Sequence, residues 1–205
     1  MPPKRFETSL QVGDFILPIR ECHSPRWVAW FDFSREVEGA SASVVDYRHA
    51  VYAGSFDPVT FGHTAIIQRA SRLYRDVTVA VGINPNKKGT FTFEERKELL
   101  EAALVGVGNA KVERFDGLLI DYCRSIGAGV IVRGLRVLTD FEYEFQLGLA
   151  NRDLAPDIET VFMFTESAHV YISSSLVKEI AMNGGDFTRY VPAPVVAALK
   201  AKFPI

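Results

Sequence analysis

A small turn and a histidine lie close together near residue 60. The sequence from 53 to 63 reads AGSFDPVTFGH and follows a short apolar run. Gly54 permits a tight turn, Ser55 offers a hydroxyl and a backbone N–H, and His63 falls in the first turn of a predicted helix. Free N–H groups and the helix dipole favour an anion there. The pattern predicts a phosphate site in which the histidine donates a hydrogen bond without acting as a base; the alternative is a capping or surface histidine.

A lysine pair, Lys87 and Lys88, lies in a polar loop that contains proline and glycine. A lysine is a flexible cation that can reach a phosphate group. The alternative is a solvated turn, in which neither side chain contacts a ligand.

Two arginines, Arg133 and Arg136, come directly after another apolar run. The planar guanidinium fork can contact phosphate oxygens in a two-pronged manner, so the pair predicts further phosphate contacts. The alternative is an ion pair with Asp140 or Glu144, which follow on the next predicted helix.

Three serines, Ser173, Ser174 and Ser175, stand at the start of a predicted helix. One of them would cap the helix, and the others would fill its first turn. A capped helix start with additional hydroxyls also suits an anion, so the two interpretations are compatible.

The elements that must position these residues alternate regularly. Apolar or β-branched strands are predicted at 50–53, 77–81, 110–114, 130–132 and 160–164, and helical patterns separate them. Continuously apolar strands indicate burial on both faces. We therefore predict an α/β fold: a Rossmann-like, doubly wound, parallel five-stranded sheet with helices on both faces. Ligands bind such sheets at the carboxyl ends of the strands, where the candidate residues lie.

The composition limits the other classes of function. The 205 residues carry a formal net charge of −2, which gives no support for a nucleic-acid partner or an anionic membrane. No apolar run approaches the length of a membrane span. Cys22 and Cys123 form no C-x-x-C pair, which is typical of reduced thiols. A cytoplasmic protein is the expectation.

Residues 1–48 do not join the alternating pattern and are predicted to be an N-terminal extension, with the domain at 49–205. Three interpretations stay open for the extension: a partly ordered segment that packs on the domain, a disordered leader, or sequence upstream of a later translation start near Val44 or Val45.

Four motifs in order carry a family resemblance. GSFDP followed by TFGH, at 54–63, resembles the T/H-x-G-H region of the nucleotidylyltransferase superfamily. RGLR at 133–136, DFEYE at 140–144 and ISSSLVKE at 172–179 follow it. Together they resemble bacterial phosphopantetheine adenylyltransferases over about residues 49–203. Ser55 replaces a frequent threonine but keeps its hydroxyl, and Phe61 fills a position that is often polar in the family.

The resemblance implies roles for individual residues. His63, Lys87, Ser55 and Arg133 would be catalytic. The nucleotide would be bound by Ser55, Phe56, His63, Arg133, Gly134, Arg136, Tyr143, Glu144, Tyr171, Ile172, Ser173, Ser174 and Ser175. Phosphopantetheine would be bound by Ser55, Lys87, Arg133, Leu118 and Leu119, although the two leucines could equally belong to the core.

The implied reaction transfers the adenylyl group of ATP to 4′-phosphopantetheine, giving dephospho-coenzyme A and pyrophosphate without a general base. Mg²⁺ is expected to enter with ATP, mainly on phosphates and water, because the sequence shows no dedicated carboxylate cage. A homohexamer and coenzyme A as a feedback regulator are also implied. The alternatives are a related nucleotidylyltransferase with a different phosphorylated acceptor, and a non-catalytic module that binds ATP or coenzyme A.

Overall fold

The computed structural model describes residues 9–12, 15–18, 45–83, 89–136 and 138–204. The chain divides into two compact units, Met1–Ser41 and Ala42–Ile205. Within the first unit, strand β1 (Ser9–Val12) pairs antiparallel with β2 (Phe15–Pro18). The sequence of the N-terminal extension also allows one strand at 28–33, and this segment lies outside the described residues.

The second unit contains alternating strands and helices. The strands are β3 (Asp46–Gly54), β4 (Asp76–Gly82), β5 (Ala110–Phe115), β6 (Ala128–Leu135) and β7 (Glu159–Phe164). The helices are α1 (Phe61–Leu73), α2 (Phe93–Ala103), α3 (Leu119–Ser125), α4 (Leu138–Leu154), α5 (Ser174–Met182) and α6 (Ala193–Lys202). Strand β3 begins at Asp46, ahead of the predicted domain start at residue 49.

The five strands form one sheet in the order β5-β4-β3-β6-β7, and every neighbouring pair is parallel. The chain adds β4 and β5 on one side of β3 and then returns to add β6 and β7 on the other side. The prediction of a doubly wound parallel sheet is therefore confirmed. The change of direction between β3 and β6 is the switch point at which such sheets bind ligands.

Alternate residues of each central strand pack on opposite faces of the sheet. Ala50 and Tyr52 belong to a core cluster with residues of α1, α2, α5 and α6. Val51 and Ala53 belong to a second cluster with residues of α3. Helix α4 packs near the same second face, where Phe141 contacts the ring of Phe162 in β7. This two-sided burial explains why the strands read as continuous apolar runs.

Among the described residues, none of the helices combines the length and the apolar character needed to cross a bilayer.

Candidate active site

A cavity of about 530 Å³ opens at the carboxyl ends of β3 and β6. Its size falls within the range of small-molecule and cofactor sites. The lining comprises Tyr52, Ala53, Gly54, Ser55, Thr60, Gly62, His63, Arg133, Gly134, Arg136, Tyr143, Glu144, Thr165, Ile172, Ser173 and Ser174. Most of the predicted site residues are thus brought to one place, although they come from sequence segments more than a hundred residues apart.

The hydrogen bonds of His63 indicate its tautomer. Thr60 is the N-cap of α1, and His63 occupies the third helical position. The backbone N–H of Thr60 donates to His63 Nδ1 at 3.1 Å. Because Nδ1 accepts this hydrogen bond, the ring proton of the neutral imidazole must lie on Nε2.

The electrostatic environment keeps His63 neutral. Burial, with a smaller contribution from the charge of Arg136, lowers the pKa of His63 from 6.5 to about 4. At neutral pH the side chain is therefore an uncharged donor through Nε2–H. The predicted hydrogen bond from His63 to a phosphate stays a prediction. The capping contact that the sequence offered as an alternative is present, because the His63 ring accepts a hydrogen bond from the backbone N–H of the N-cap residue Thr60.

The ring of Phe56 packs against the ring of His63. The backbone of Phe56 has a φ of 46°, in the left-handed region that non-glycine residues rarely adopt. The ring is almost fully buried, and its centroid lies 5.1 Å from that of His63 in an edge-to-face arrangement. Gly54 makes room for it, because a Cβ atom there would lie 3.1 Å from Phe56 Cζ. The Phe56 ring therefore belongs to the core, and Phe56 is not part of the cavity lining, so its predicted contact with the nucleotide stays a prediction.

Arg133 makes a two-pronged ion pair with Glu144. Nε and Nη2 of the guanidinium each donate to one carboxylate oxygen at 2.6 Å. Nη1 also donates to the carbonyl oxygen of Ala53 at 3.3 Å. The ion pair that the sequence left as an alternative is thus present with Glu144. A guanidinium has five N–H donors, so this pair does not exhaust the capacity of Arg133 for a phosphate oxygen.

Arg136 connects the end of β6 to the approach of α5. Its Nη1 donates to the carbonyl oxygen of Ile172 at 2.9 Å. Ile172 is almost fully buried and lines the cavity. The contact fixes the backbone that leads into the serine run.

The serine run begins α5, as predicted. Ser173 is the N-cap, and its Oγ accepts from the N–H of Leu176 at 3.1 Å. Ser174 Oγ donates to the carbonyl oxygen of Pro58 at 2.7 Å, which attaches α5 to the loop after β3. Ser175 lies on the helix but not in the cavity lining.

Three other predicted site residues lie outside the cavity lining. Tyr171 is exposed and contacts Tyr190 edge to face, outside the cavity lining. Leu118 is exposed, whereas Leu119 packs against the cluster beneath α3, in accordance with its alternative interpretation as core. Lys87 lies outside the described residues, so its predicted role stays a prediction.

Phe61, the unusual residue of the TFGH motif, stacks on His169. The two ring centroids lie 5.7 Å apart with an interplanar angle of 25°. The contact joins the first residue of α1 to the short helix Ser167–His169 that precedes the serine run. An aromatic residue at this position therefore packs the approach segment against α1.

Two residues outside the motifs quoted from the sequence also line the cavity. Thr165 follows the end of β7, and Tyr52 lies within β3 itself. Burial raises the pKa of Tyr52 to about 12, so its hydroxyl remains protonated. The strand-end rule could have found Thr165, because it is the first residue after its strand.

Comparisons with known proteins show the family of this chain. A family model described as cytidylyltransferase-like matches residues 51–180. A phosphopantetheine adenylyltransferase of Heliobacterium modesticaldum is 51% identical over 154 residues, which cover 75% of this chain and 92% of that protein. The chain belongs to the phosphopantetheine adenylyltransferase family. A second member, from Staphylococcus carnosus, is 47% identical over 75% of this chain and 96% of its own length.

A solved structure agrees at the level of the fold. The nicotinic acid mononucleotide adenylyltransferase of Plasmodium falciparum, complexed with NaAD, superposes with a TM-score of 0.57. Its sequence is 14% identical, and the match covers 77% of this chain and 96% of that chain. At this level of identity the match shows a shared fold alone.

Proposed function

We propose that this chain transfers the adenylyl group of ATP to 4′-phosphopantetheine, giving dephospho-coenzyme A and pyrophosphate in the biosynthesis of coenzyme A. The observation that carries the proposal is the neutral His63, whose Nε2–H donor shares one cavity with Arg133. Close similarity to relatives named phosphopantetheine adenylyltransferase supports the choice of substrates.

The proposed reaction is a single in-line displacement. An oxygen of the 4′-phosphate attacks the α-phosphorus of ATP, and the bond from that phosphorus to the bridging oxygen of the β-phosphate breaks. Pyrophosphate leaves with the electron pair. A phosphate monoester is already an anionic nucleophile at neutral pH, so the protein has no proton to remove. Its task is to align two anions and to stabilise the charge that develops between them.

Each proposed role uses a group of the matching chemistry. His63 Nε2–H would donate to the α-phosphoryl group in the transition state, together with the cation of Lys87. Ser55 would hold the attacking phosphate, and Arg133 would contact the phosphates of ATP. A histidine with a pKa of about 4 is uncharged at neutral pH, so it stabilises the transition state as a donor and not as an acid.

Mg²⁺ is proposed to enter with ATP and to neutralise part of the phosphate charge. Within the described ranges, no group of three or more His, Cys, Asp or Glu side chains is arranged to hold a metal ion. Of the nearby carboxylates, Glu144 is engaged by Arg133 and Asp57 by Lys178. The donor set therefore fits a cation that is held mainly by phosphate oxygens and water.

We also propose a cytoplasmic homohexamer that coenzyme A inhibits. Phe141, Phe145 and Leu149 lie at i, i+4 and i+8 on α4, and all three are exposed. An apolar row of this kind on a helix is typical of a surface that another subunit covers. Light scattering during gel filtration tests the assembly, because it should give six times the mass of one chain. Addition of coenzyme A to the activity assay tests the inhibition.

The decisive experiment measures pyrophosphate release from ATP and 4′-phosphopantetheine. His63→Ala should lower kcat by about 100- to 1000-fold, equivalent to about 3–4 kcal/mol, while the affinity for ATP changes little. His49→Gln is the matched control, because His49 lies near the opposite end of β3 and pairs with Thr78. An unchanged kcat in His63→Ala would refute the role of the histidine.

Two further arms separate the alternatives. Pyrophosphate release with nicotinamide mononucleotide, and none with 4′-phosphopantetheine, would establish the enzyme with a different acceptor. Binding of ATP without turnover on any phosphorylated acceptor would indicate the non-catalytic module.

A further inference from the structure

Asp57 joins three segments of the chain through one buried carboxylate. Its Oδ2 accepts from the backbone N–H of Thr90 at 2.9 Å and from Lys178 Nζ at 3.0 Å. Its Oδ1 accepts from the N–H of Phe91 at 2.9 Å. Asp57 belongs to the loop after β3, Thr90 and Phe91 precede α2, and Lys178 lies on α5. None of these four residues lines the cavity.

Two additional contacts hold the same loop. Arg96 of α2 is buried, and its Nη1 donates to the carbonyl oxygen of Ser55 at 3.0 Å. Ser174 donates to the carbonyl oxygen of Pro58. The backbone from Ser55 to Pro58 is thus fixed from the α2 side and from the α5 side at once, immediately before it enters α1.

The pair of Asp57 and Lys178 is shielded from solvent. The side chains are 10% and 22% exposed, so water screens their attraction less than it does for a surface pair. Burial alone would raise the pKa of Asp57, but the N–H of Thr90, the ammonium of Lys178 and the N–H of Phe91 outweigh it and hold the pKa below the ordinary value. The Asp57 carboxylate is therefore ionised at neutral pH.

We infer that Asp57 and Lys178 are positioning residues, which set the distance between the two helix N-termini that face the cavity. Helix α1 presents His63 in its first turn, and α5 presents Ser173 and Ser174 at its start. Lys178 anchors the second helix to the loop that begins the first. The inference rests on the proposed function, because it assumes that both helix starts contact phosphates of the reacting molecules.

The opposing interpretation is a pair that only stabilises the fold. A purely structural pair would lower the melting temperature and leave the folded fraction fully active. A positioning pair would instead misalign the reacting groups in a protein that is still folded. Small misplacements of this kind lower the rate of the chemical step by up to about 100-fold.

The experiment compares Lys178→Met, which keeps the apolar stem, with Lys178→Arg, which keeps the charge, and with Asp57→Asn. Each kcat and each KM is measured well below the melting temperature. Lys178→Met should lower kcat by about 10- to 100-fold and change the two KM values much less. Lys178→Arg should recover most of this loss. The double variant Asp57→Asn/Lys178→Met should have a kcat no lower than that of the less active single variant, because the two residues act as one unit.

Lys97→Met serves as the control, because Lys97 forms an ion pair on the exposed face of α2. Its Nζ lies 3.7 Å from Oε1 of Glu101. A lower melting temperature with an unchanged kcat in Lys178→Met would overturn the inference, as would additive losses in the double variant. Absence of turnover in the wild type would refute the proposed function instead. The chemical shift of the His63 ring in NMR spectra tests the positioning directly. It should change in Lys178→Met and stay the same in Lys97→Met. An unchanged shift in Lys178→Met would overturn the inference.

Discussion

Replacement of His63 by glutamine should make the domain less sensitive to acid. The folded protein holds the pKa of His63 at about 4, below the ordinary value of 6.5, because burial disfavours the charged ring. Between these two values the unfolded chain binds a proton that the folded chain does not. The contribution to stability is therefore fully present above the unfolded pKa and is lost as the pH falls through the folded pKa.

The size of the effect follows from the two pKa values. The free energy of unfolding should fall by about 2 kcal/mol between about pH 7.5 and about pH 5 on account of this one residue, and by about 3 kcal/mol at about pH 4. Glutamine is the matched replacement, because at the third helical position it can still accept the N–H of Thr60 and it does not titrate.

The assay is urea unfolding of both proteins, followed by circular dichroism at several pH values. His49 also has a pKa lowered by burial, but it is present in both proteins and cancels in the comparison. The difference between wild type and His63→Gln should therefore change by the amount given above. Parallel pH profiles would refute the reasoning, because they would mean that the ring of His63 titrates normally in the folded protein.

Two other substitutions test the support of the site. Gly54→Ala places a Cβ atom 3.1 Å from the ring of Phe56 and should lower the free energy of unfolding by about 1–3 kcal/mol, measured by urea unfolding; kcat should fall too, because the same ring packs on His63. Arg133→Lys should lower kcat/KM for ATP at least 10-fold, because a lysine cannot keep both prongs on Glu144 and also contact a phosphate; activity equal to that of wild type would show that the planar fork is not needed.

Much of the site could be predicted because strand ends converge in a parallel sheet. His63 follows β3, Ser173 follows β7 and Arg133 lies near the carboxyl end of β6, so the topology alone brings them to one edge. Their side chains are also of types whose chemistry suits phosphate. The fold could be predicted from the sequence for a related reason. Strands that are buried on both faces leave continuous apolar runs in the sequence.

The remaining features depend on contacts that have no local signature. Asp57 directly precedes a proline, and nothing nearby in sequence indicates that its partner is Lys178, 121 residues later. Whether Arg133 pairs with an acidic residue depends on the side-chain rotamer of Glu144 on α4. The hydrophobic periodicity of the sequence does not specify that rotamer. Phe56 lies in the site motif, yet its left-handed backbone turns the ring into the core.

The N-terminal cap of α1 restricts which residue types can occupy position 63. The residue must offer an acceptor to the N–H of Thr60 and a donor to the cavity. Glutamate, the usual partner in a capping box, satisfies the first requirement but would turn a carboxylate towards the phosphates. Alanine satisfies neither. A histidine neutral at physiological pH meets both requirements with one ring, so the start of the helix and the proposed chemistry are compatible at this position.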